Sequence, residues 1–162
     1  MKKILFIGLL LLMFIPKVEA IQAESYVVMD YDTGRILEGK NEDKEKLIAS
    51  TTKIMTAIIA LENGSLDSTI KVGEEVLKSF GSAIYLSLNE EISLKDLLYG
   101  LMLRSGNDAA IEIAYLVSGN MDDFVDLMNK KSYQLGMSHT KFINKHGLEN
   151  DNSIKFEFFY TQ

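Results

Sequence analysis

After an apolar N-terminal stretch, the chain shows a pattern that is typical of a β-hairpin. Tyr26–Met29 and Arg35–Leu37 are rich in strand-forming residues, and Asp32–Gly34 between them has turn chemistry. Both faces of the first strand are apolar, as in a strand that is covered on two sides. We therefore expect the first strand to be covered on both faces.

A helical period replaces the strand pattern after Ser50. Apolar residues then recur at i, i+3, i+4 and i+7, the spacing of one helix face: Ile54, Ala57, Ile58 and Leu61. Met55 and Ile59 widen this stripe until little polar surface is left, and Asn63-Gly64 ends the helix. The pattern predicts a helix that is buried on nearly all sides.

Three further helices are predicted in the second half of the chain. Their expected ranges, after two short β-prone segments at 68–77 and 82–93, are 97–103, 108–117 and 121–135. Ser93 and Asp96 form a capping-box pattern before the first of them, and Asn120 is the expected N-cap of the last. In the first, Met102 and Leu103 are assigned to the core together with Leu101. This order of elements predicts an α/β (α+β) domain.

The length of 162 residues suggests one domain at most. Residues 1–20 look like a targeting segment, because Lys2 and Lys3 precede the apolar run Ile4–Ile15 and the small-residue site Val18–Ala20. The run is shorter than the roughly 20 residues that span a bilayer. We expect a secretory signal that is cleaved, with membrane contact only through that signal; an uncleaved anchor is the alternative.

Charge and composition exclude several classes of function. The formal net charge is −6, and it becomes more negative once Lys2, Lys3, Lys17 and Glu19 leave with the signal, which argues against a nucleic-acid partner. The chain has no cysteine, and therefore no disulfide framework or thiol nucleophile. Its two histidines, His139 and His146, lack further ligands at metal-binding spacing, so surface or loop positions are expected.

A Ser-x-x-Lys spacing occurs at Ser50/Lys53, Ser68/Lys71 and Ser138/Lys141. In a helix, residues i and i+3 share a face, so the Ser50 hydroxyl can meet the Lys53 amine. The other two pairs lie in segments expected to be extended, where residues i and i+3 point to opposite faces. Only the first pair is a candidate nucleophile and base.

Ser50 is a candidate nucleophile only if Lys53 can take its proton. A solvated lysine has a pKa of about 10.4, whereas burial against an apolar helix lowers the pKa toward the roughly 7–8 of catalytic lysines. The start of a helix also offers free backbone N–H groups and a dipole that stabilise an oxyanion. On these residues alone, catalysis and simple helix capping by Ser50 are equally open.

Ser105-Gly106-Asn107 forms a polar break between two apolar helices. The similar triplets Ser87–Asn89 and Ser118–Asn120 have local explanations, as a strand-to-turn junction and as a helix C-cap followed by an N-cap. The break at 105–107 has no such explanation, because apolar helix resumes at once. Ser105 and Asn107 are therefore candidate cleft residues.

The segments Ala49–Ala57 and Tyr99–Ala110 resemble the serine D-alanyl-D-alanine carboxypeptidases, the low-molecular-weight penicillin-binding proteins. The resemblance extends from about Ser25 to Leu148. It implies a β-lactamase/DD-peptidase-like domain with an antiparallel sheet and a buried helical layer, a secreted location at the cell envelope, and no metal or cofactor. The implied boundaries are a signal peptide at 1–20, a partial catalytic domain at 21–148 and a divergent tail at 149–162.

The resemblance also implies roles for the candidate residues. Ser50 would attack the carbonyl of the terminal D-Ala-D-Ala bond of a peptidoglycan stem peptide, and water would hydrolyse the acyl-enzyme. Lys53 would take the serine proton, and Ser105 would relay a proton to the leaving amine. Asn107 would hold the substrate and Lys53. β-Lactams would act as covalent inhibitors by acylating Ser50.

One motif of the family, Lys-Thr-Gly or Lys-Ser-Gly on a core strand, does not occur in the 162 residues. We therefore expect a truncated or frameshifted member, incomplete at its C-terminus, with an uncovered helix flank and unpaired strand edges. Losing the oxyanion donor on that strand would cost about 10²–10³ in kcat, so the activity of this chain stays open. The alternatives are a class A-like β-lactamase, with Glu90 or Glu91 as general base rather than as solvated turn residues, and a non-catalytic remnant.

Overall fold

The computed structural model describes residues 22–42, 44, 48–137 and 140–143. Predictions for the signal segment, for His139 and His146 and for the tail at 149–162 lie outside these residues. The chain divides into two compact units between Asn41 and Glu42, and each is described by itself. Within the described ranges, no helix combines the length and apolar character needed to cross a membrane.

The first unit is the predicted hairpin. β1 (Tyr26–Met29) pairs antiparallel with β2 (Ile36–Lys40). Asp30 closes the turn, because its carboxylate accepts the N–H of Thr33 at 2.9 Å and its carbonyl accepts the N–H of Gly34 at 2.9 Å. The left-handed φ of 70° at Gly34 explains the glycine there.

The expectation that β1 is covered on two sides is wrong for the described residues. Val27, Val28 and Met29 are all exposed, although their side chains are apolar. A two-stranded ribbon has no layer of its own to cover either face, so an apolar pattern on both faces of the strand does not by itself bury it.

The second unit is built mainly from helices. In the described residues these are α1 (Thr52–Asn63), α2 (Leu94–Arg104), α3 (Asn107–Ser118) and α4 (Met121–Gln134). A short antiparallel pair, β3 (Thr69–Lys71) with β4 (Glu91–Ser93), and a 3₁₀ helix at Glu74–Lys78 lie between α1 and α2 in the chain.

The predicted caps set the ends of these helices. Ser93 Oγ accepts the N–H of Asp96 at 3.1 Å, and the Asn120 side chain accepts the N–H of Asp123 at 2.9 Å. Gly119 lies just past the end of α3 with a left-handed φ of 79°, a conformation in which a side chain would be strained. The predicted caps are confirmed, although the helix after Ser93 begins at Leu94 and not at residue 97 as predicted.

α3 is the central helix of the second unit, since it packs against α1, α2 and α4. Its residues Asn107–Ala114 are all buried. Around it the largest fully buried apolar side chains form the core, namely Ile59, Leu94, Leu97, Leu101, Ile113, Phe124, Met128 and Phe142. The short side chains of Ala109, Ala110 and Ala114 leave room for this close packing.

The predicted apolar stripe of α1 has the wrong rotation about the helix axis. Ile54 and Leu61 are 53% and 58% exposed. The buried residues instead follow the stripe Thr52, Met55, Thr56, Ile59 and Ala60, with Lys53 and Ala57 beside it. The prediction failed because two threonines, which a hydropathy pattern counts as polar, occupy core positions.

The assignment of Met102 and Leu103 to the core is also wrong, because both are exposed whereas Leu101 is buried. With Leu61, Leu66, Leu98 and Tyr99 they line an open apolar groove of about 340 Å³ between α1 and α2.

Candidate active site

Ser50 lies in a 3₁₀ turn, Ala49–Thr51, immediately before α1, and it is exposed. The N-cap position of α1 belongs to Thr51, which makes no side-chain capping bond to the helix. Ala49 has a φ of 45°, a left-handed conformation that costs a non-glycine residue roughly 1–3 kcal/mol. Capping therefore does not explain Ser50, and strained backbone holds it at the helix entrance.

Lys53 lies in the first turn of α1 and is only 3% exposed. Its Nζ is 3.4 Å from Ser50 Oγ, so the two side chains share a face as the spacing predicts. Burial disfavours the charged amine and lowers the pKa of Lys53 below its ordinary value. A lowered pKa increases the fraction of neutral amine, which is the form that can accept a proton.

Ser105 completes a chain of three polar side chains. It follows the last residue of α2 with a left-handed φ of 57°. Its Oγ donates a hydrogen bond to Ser50 Oγ at 3.0 Å, so Lys53, Ser50 and Ser105 are contiguous although Ser105 comes from a different part of the chain. The break between α2 and α3 thus carries a side chain to the entrance of α1.

Asn107 is the first residue of α3 and lies two positions after Ser105 in the chain. Its Nδ2 donates to the carbonyl of Phe80 at 2.6 Å, and its backbone N–H donates to the carbonyl of Ser82 at 2.8 Å. Its Oδ1 is buried and has no hydrogen-bond partner among the described residues. The amide therefore keeps one buried acceptor without a partner among the described residues, close in the chain to Ser105.

The other Ser-x-x-Lys pair within the described residues and the alternative general bases Glu90 and Glu91 do not belong to this site. Lys71 belongs to strand β3, as expected for a pair that cannot meet, and Ser138 is outside the described residues. Glu90 accepts the N–H of Ser87 at 2.9 Å, and Glu91 accepts the hydroxyl of Thr69 at 2.8 Å. Both carboxylates are exposed and serve the β3–β4 region, as expected of turn residues.

Sequence reasoning missed the segment 80–86 and Asp108, which surround the break at 105–107. Asp108 is buried and accepts backbone N–H groups of Ile84 and Leu86. The available signal was an acidic residue directly after Asn107 in an otherwise apolar helix. The prediction that 82–93 is β-prone is wrong for residues 82–86, which form neither helix nor strand, and no local pattern identified them as the partner of Asp108.

Comparison with known proteins identifies the class. The model of the family D-alanyl-D-alanine carboxypeptidase (Peptidase_S11) matches residues 13–158, and the chain belongs to this family. It is 38% identical over 160 residues to the D-alanyl-D-alanine carboxypeptidase DacF of Bacillus subtilis (strain 168), covering 89% of this chain and 41% of that protein. The chain spans about two fifths of the length of the curated relatives it matches.

Solved structures agree with the family. The D-alanyl-D-alanine carboxypeptidase from Mycobacterium tuberculosis H37Rv superposes with a TM-score of 0.79 at 29% identity, over 84% of this chain and 51% of that chain. Penicillin binding protein 5 from Haemophilus influenzae gives a TM-score of 0.76 at 34% identity, over 85% of this chain and 42% of that chain. The predicted family and the α/β (α+β), DD-peptidase-like fold class are confirmed, whereas the domain boundaries and residue roles stay predictions.

Proposed function

We propose that this chain carries the acyl-transfer centre of a serine-type D-Ala-D-Ala carboxypeptidase, which removes the terminal D-alanine of peptidoglycan stem peptides. The observation that carries the proposal is the contiguous contact of Lys53, Ser50 and Ser105 in a member of this family. Such a substrate implies an extracytoplasmic location at the cell envelope, reached through the signal predicted at 1–20.

The proposed first step is acylation of Ser50. The neutral amine of Lys53 takes the hydroxyl proton as Ser50 Oγ bonds to the carbonyl carbon of the penultimate D-alanine. The bond from that carbon to the nitrogen of the last D-alanine breaks, and the proton passes through Ser105 to the leaving amine. One water molecule then hydrolyses the ester, which releases the shortened peptide and returns a proton to Ser50.

Asn107 is proposed to hold the substrate. Its buried Oδ1 lacks a partner among the described residues, and a buried acceptor without a bond carries a cost of about 1–3 kcal/mol. A backbone N–H of the stem peptide would satisfy this oxygen. The carbonyl of Phe80 already orients the side-chain amide and that of Ser82 holds the backbone N–H, so the acceptor is in place before substrate arrives.

D-Alanine release tests the proposal. The full chain is incubated with a peptide that ends in D-Ala-D-Ala, with a peptide that ends in L-Ala-L-Ala as the stereochemical control. Because no Lys-Thr-Gly tripeptide occurs in the 162 residues, we expect a rate about 10²–10³ below that of a relative with both oxyanion donors. Release should therefore be followed at high enzyme concentration.

The expected result is release from the D-peptide alone and its loss in Ser50→Ala. Absence of release by a folded chain, or equal release by the variant, contradicts the proposal. Repeated turnover of the β-lactam nitrocefin would instead favour the class A-like β-lactamase alternative, which the positions of Glu90 and Glu91 do not support.

A further inference from the structure

Asp108, the second residue of α3, is only 3% exposed and is fully used as an acceptor. Its carboxylate accepts the N–H of Ile84 at 3.0 and 3.1 Å, the N–H of Leu86 at 3.1 Å and the N–H of Ala109 at 2.9 Å. A buried carboxylate with several backbone donors is a stable arrangement. Removing one of its oxygens as an acceptor leaves a backbone donor without a partner.

The segment held by Asp108 is the same one that orients Asn107. Residues 80–86 form neither helix nor strand, so their N–H groups need acceptors from outside the segment. Asp108 supplies acceptors for Ile84 and Leu86. In return, carbonyls of the segment accept both the side-chain and the backbone N–H of Asn107. Each of the two, the segment 80–86 and the start of α3, therefore both donates hydrogen bonds to the other and accepts them from it.

Ile84 also packs against the backbone on either side of Ser105. A Cβ at Gly100 would lie 2.6 Å from Ile84 Cδ1, and a Cβ at Gly106 would lie 3.3 Å from Ile84 Cγ2. These two glycines lie on either side of Ser105 in the chain. A side chain at Gly100 would collide with Ile84, and one at Gly106 would meet Asp108 Oδ1 at 3.0 Å before it met Ile84. The residue whose N–H Asp108 holds is thus packed against the backbone that places Ser105.

We propose that Asp108 is a positioning residue, which anchors the segment 80–86 across the start of α3 and thereby fixes Ser105 and Asn107 beside Ser50. Asp108 acts through Ile84, Leu86 and Asn107, and none of its hydrogen bonds goes to Ser50, Lys53 or Ser105. The kinetic consequence of this inference rests on the proposed function, whereas its structural part can be measured without any activity.

Asp108→Asn is the decisive variant, because it keeps the size of the side chain but replaces one acceptor oxygen with an NH₂ group. A misplacement of about 1 Å near reacting groups lowers rates on the order of 10²-fold, which is the expected fall in the rate constant for acylation by a fluorescent penicillin. Glu112→Gln is the matched control. Glu112 is equally buried on the same helix but accepts from Gly73, outside the segment 80–86, so acylation should be unchanged.

Amide hydrogen exchange separates positioning from a general loss of stability. In Asp108→Asn, the amides of Ile84 and Leu86 and the side-chain amide of Asn107 should lose protection together, while core amides such as that of Ile113 keep theirs. General destabilisation would lower all of them. The proposal is overturned if Asn107 stays protected when Ile84 and Leu86 do not, or if the variant is acylated at the wild-type rate.

The wild-type chain keeps the inference testable if the variant does not fold. Ile84, Leu86 and the Asn107 side chain should then open at one common rate, and independent rates would contradict the coupling. If the wild-type chain folds but is not acylated, the proposed function fails for this chain, and the exchange result alone decides whether Asp108 positions Asn107.

Discussion

Two Ser-x-x-Lys pairs in the described residues have the same composition and spacing but different surroundings. Ser50 and Lys53 follow a 3₁₀ turn into α1, where their side chains approach to 3.4 Å. Ser68 directly precedes strand β3 and Lys71 is its last residue, and in an extended chain residues three apart point to opposite faces. The chemistry of the motif therefore depends on the backbone that carries it.

The two lysines also differ in hydration. Lys53 is buried, and loss of hydration lowers its pKa, whereas Lys71 is exposed on a short strand. Of the two serines, Ser50 alone has a second hydroxyl among the described residues, that of Ser105, within hydrogen-bond distance to continue the path of a proton. A spacing rule finds both pairs, and burial together with a third partner distinguishes them.

The largest expected effect comes from removing the two serines in turn. Ser50→Ala should abolish covalent labelling by a fluorescent penicillin, because it removes the hydroxyl that lies 3.4 Å from Lys53 Nζ and is proposed to attack. Ser68→Ala, the matched control, should be labelled like the wild type. Labelling would be measured on a gel at equal protein concentration. Equal labelling of both variants would remove the distinction between the pairs.

Replacing the lysines gives the next largest effect. Lys53→Arg keeps the charge but introduces a guanidinium that does not deprotonate, so acylation should fall by up to about 10⁴-fold. Lys71→Arg should leave acylation unchanged. In the wild type, acylation should rise with pH through the lowered pKa of Lys53, since the neutral amine is the base. A variant at Lys53 that retains this pH dependence would contradict the assignment.

The helix caps and the contact between Ser50 and Lys53 could be predicted from the sequence because their causes are local. Ser93 and Asn120 mark helix starts by their own hydrogen bonds, and the Ser50–Lys53 contact follows from helical spacing. The rotation of α1 about its axis could not be predicted, because it depends on which neighbours cover Thr52 and Thr56. Asp108 was missed for a similar reason, since its partners lie more than twenty positions away in the chain.

A third prediction concerns the relay at Ser105. Ser105→Ala should lower D-alanine release by about 10²-fold, less than the lysine variant, because the leaving amine can still take a proton from water. Ser87→Ala, in the similar Ser-x-Asn triplet at 87–89, should release D-alanine at the wild-type rate. A variant at Ser105 with unchanged release would show that its 3.0 Å contact to Ser50 is only structural.

A fourth prediction excludes another buried group from the pH profile. Glu112 is fully buried, and this burial raises its pKa to about 7. Nearby Glu75 and Asp108 also raise the pKa, whereas the hydrogen bond from the N–H of Gly73 lowers it. The folded chain then binds more protons than the unfolded chain between the ordinary pKa of 4.5 and about 7. This contribution to stability is complete below 4.5 and is lost as the pH rises through 7.

In Glu112→Gln the side chain is neutral at both pH values. The free energy of unfolding at pH 8 minus that at pH 5 should therefore be larger in this variant than in the wild type, by between about 1 and 3 kcal/mol. Urea unfolding at the two pH values measures this change, with Asp126→Asn on the exposed face of α4 as the control. The pH profile of acylation should not move in Glu112→Gln. A shift of that profile would mean that Lys53 is not the group that sets it.

Locating a penicillin adduct by peptide mass spectrometry tests the central claim most directly. The full chain is reacted with a penicillin, digested and searched for the added mass. We predict one adduct per chain on the peptide that contains Ser50, and none on the peptides that contain Ser68 or Ser105. An adduct on another residue, or none on a chain that unfolds cooperatively on heating, would contradict the assignment of Ser50 as the nucleophile.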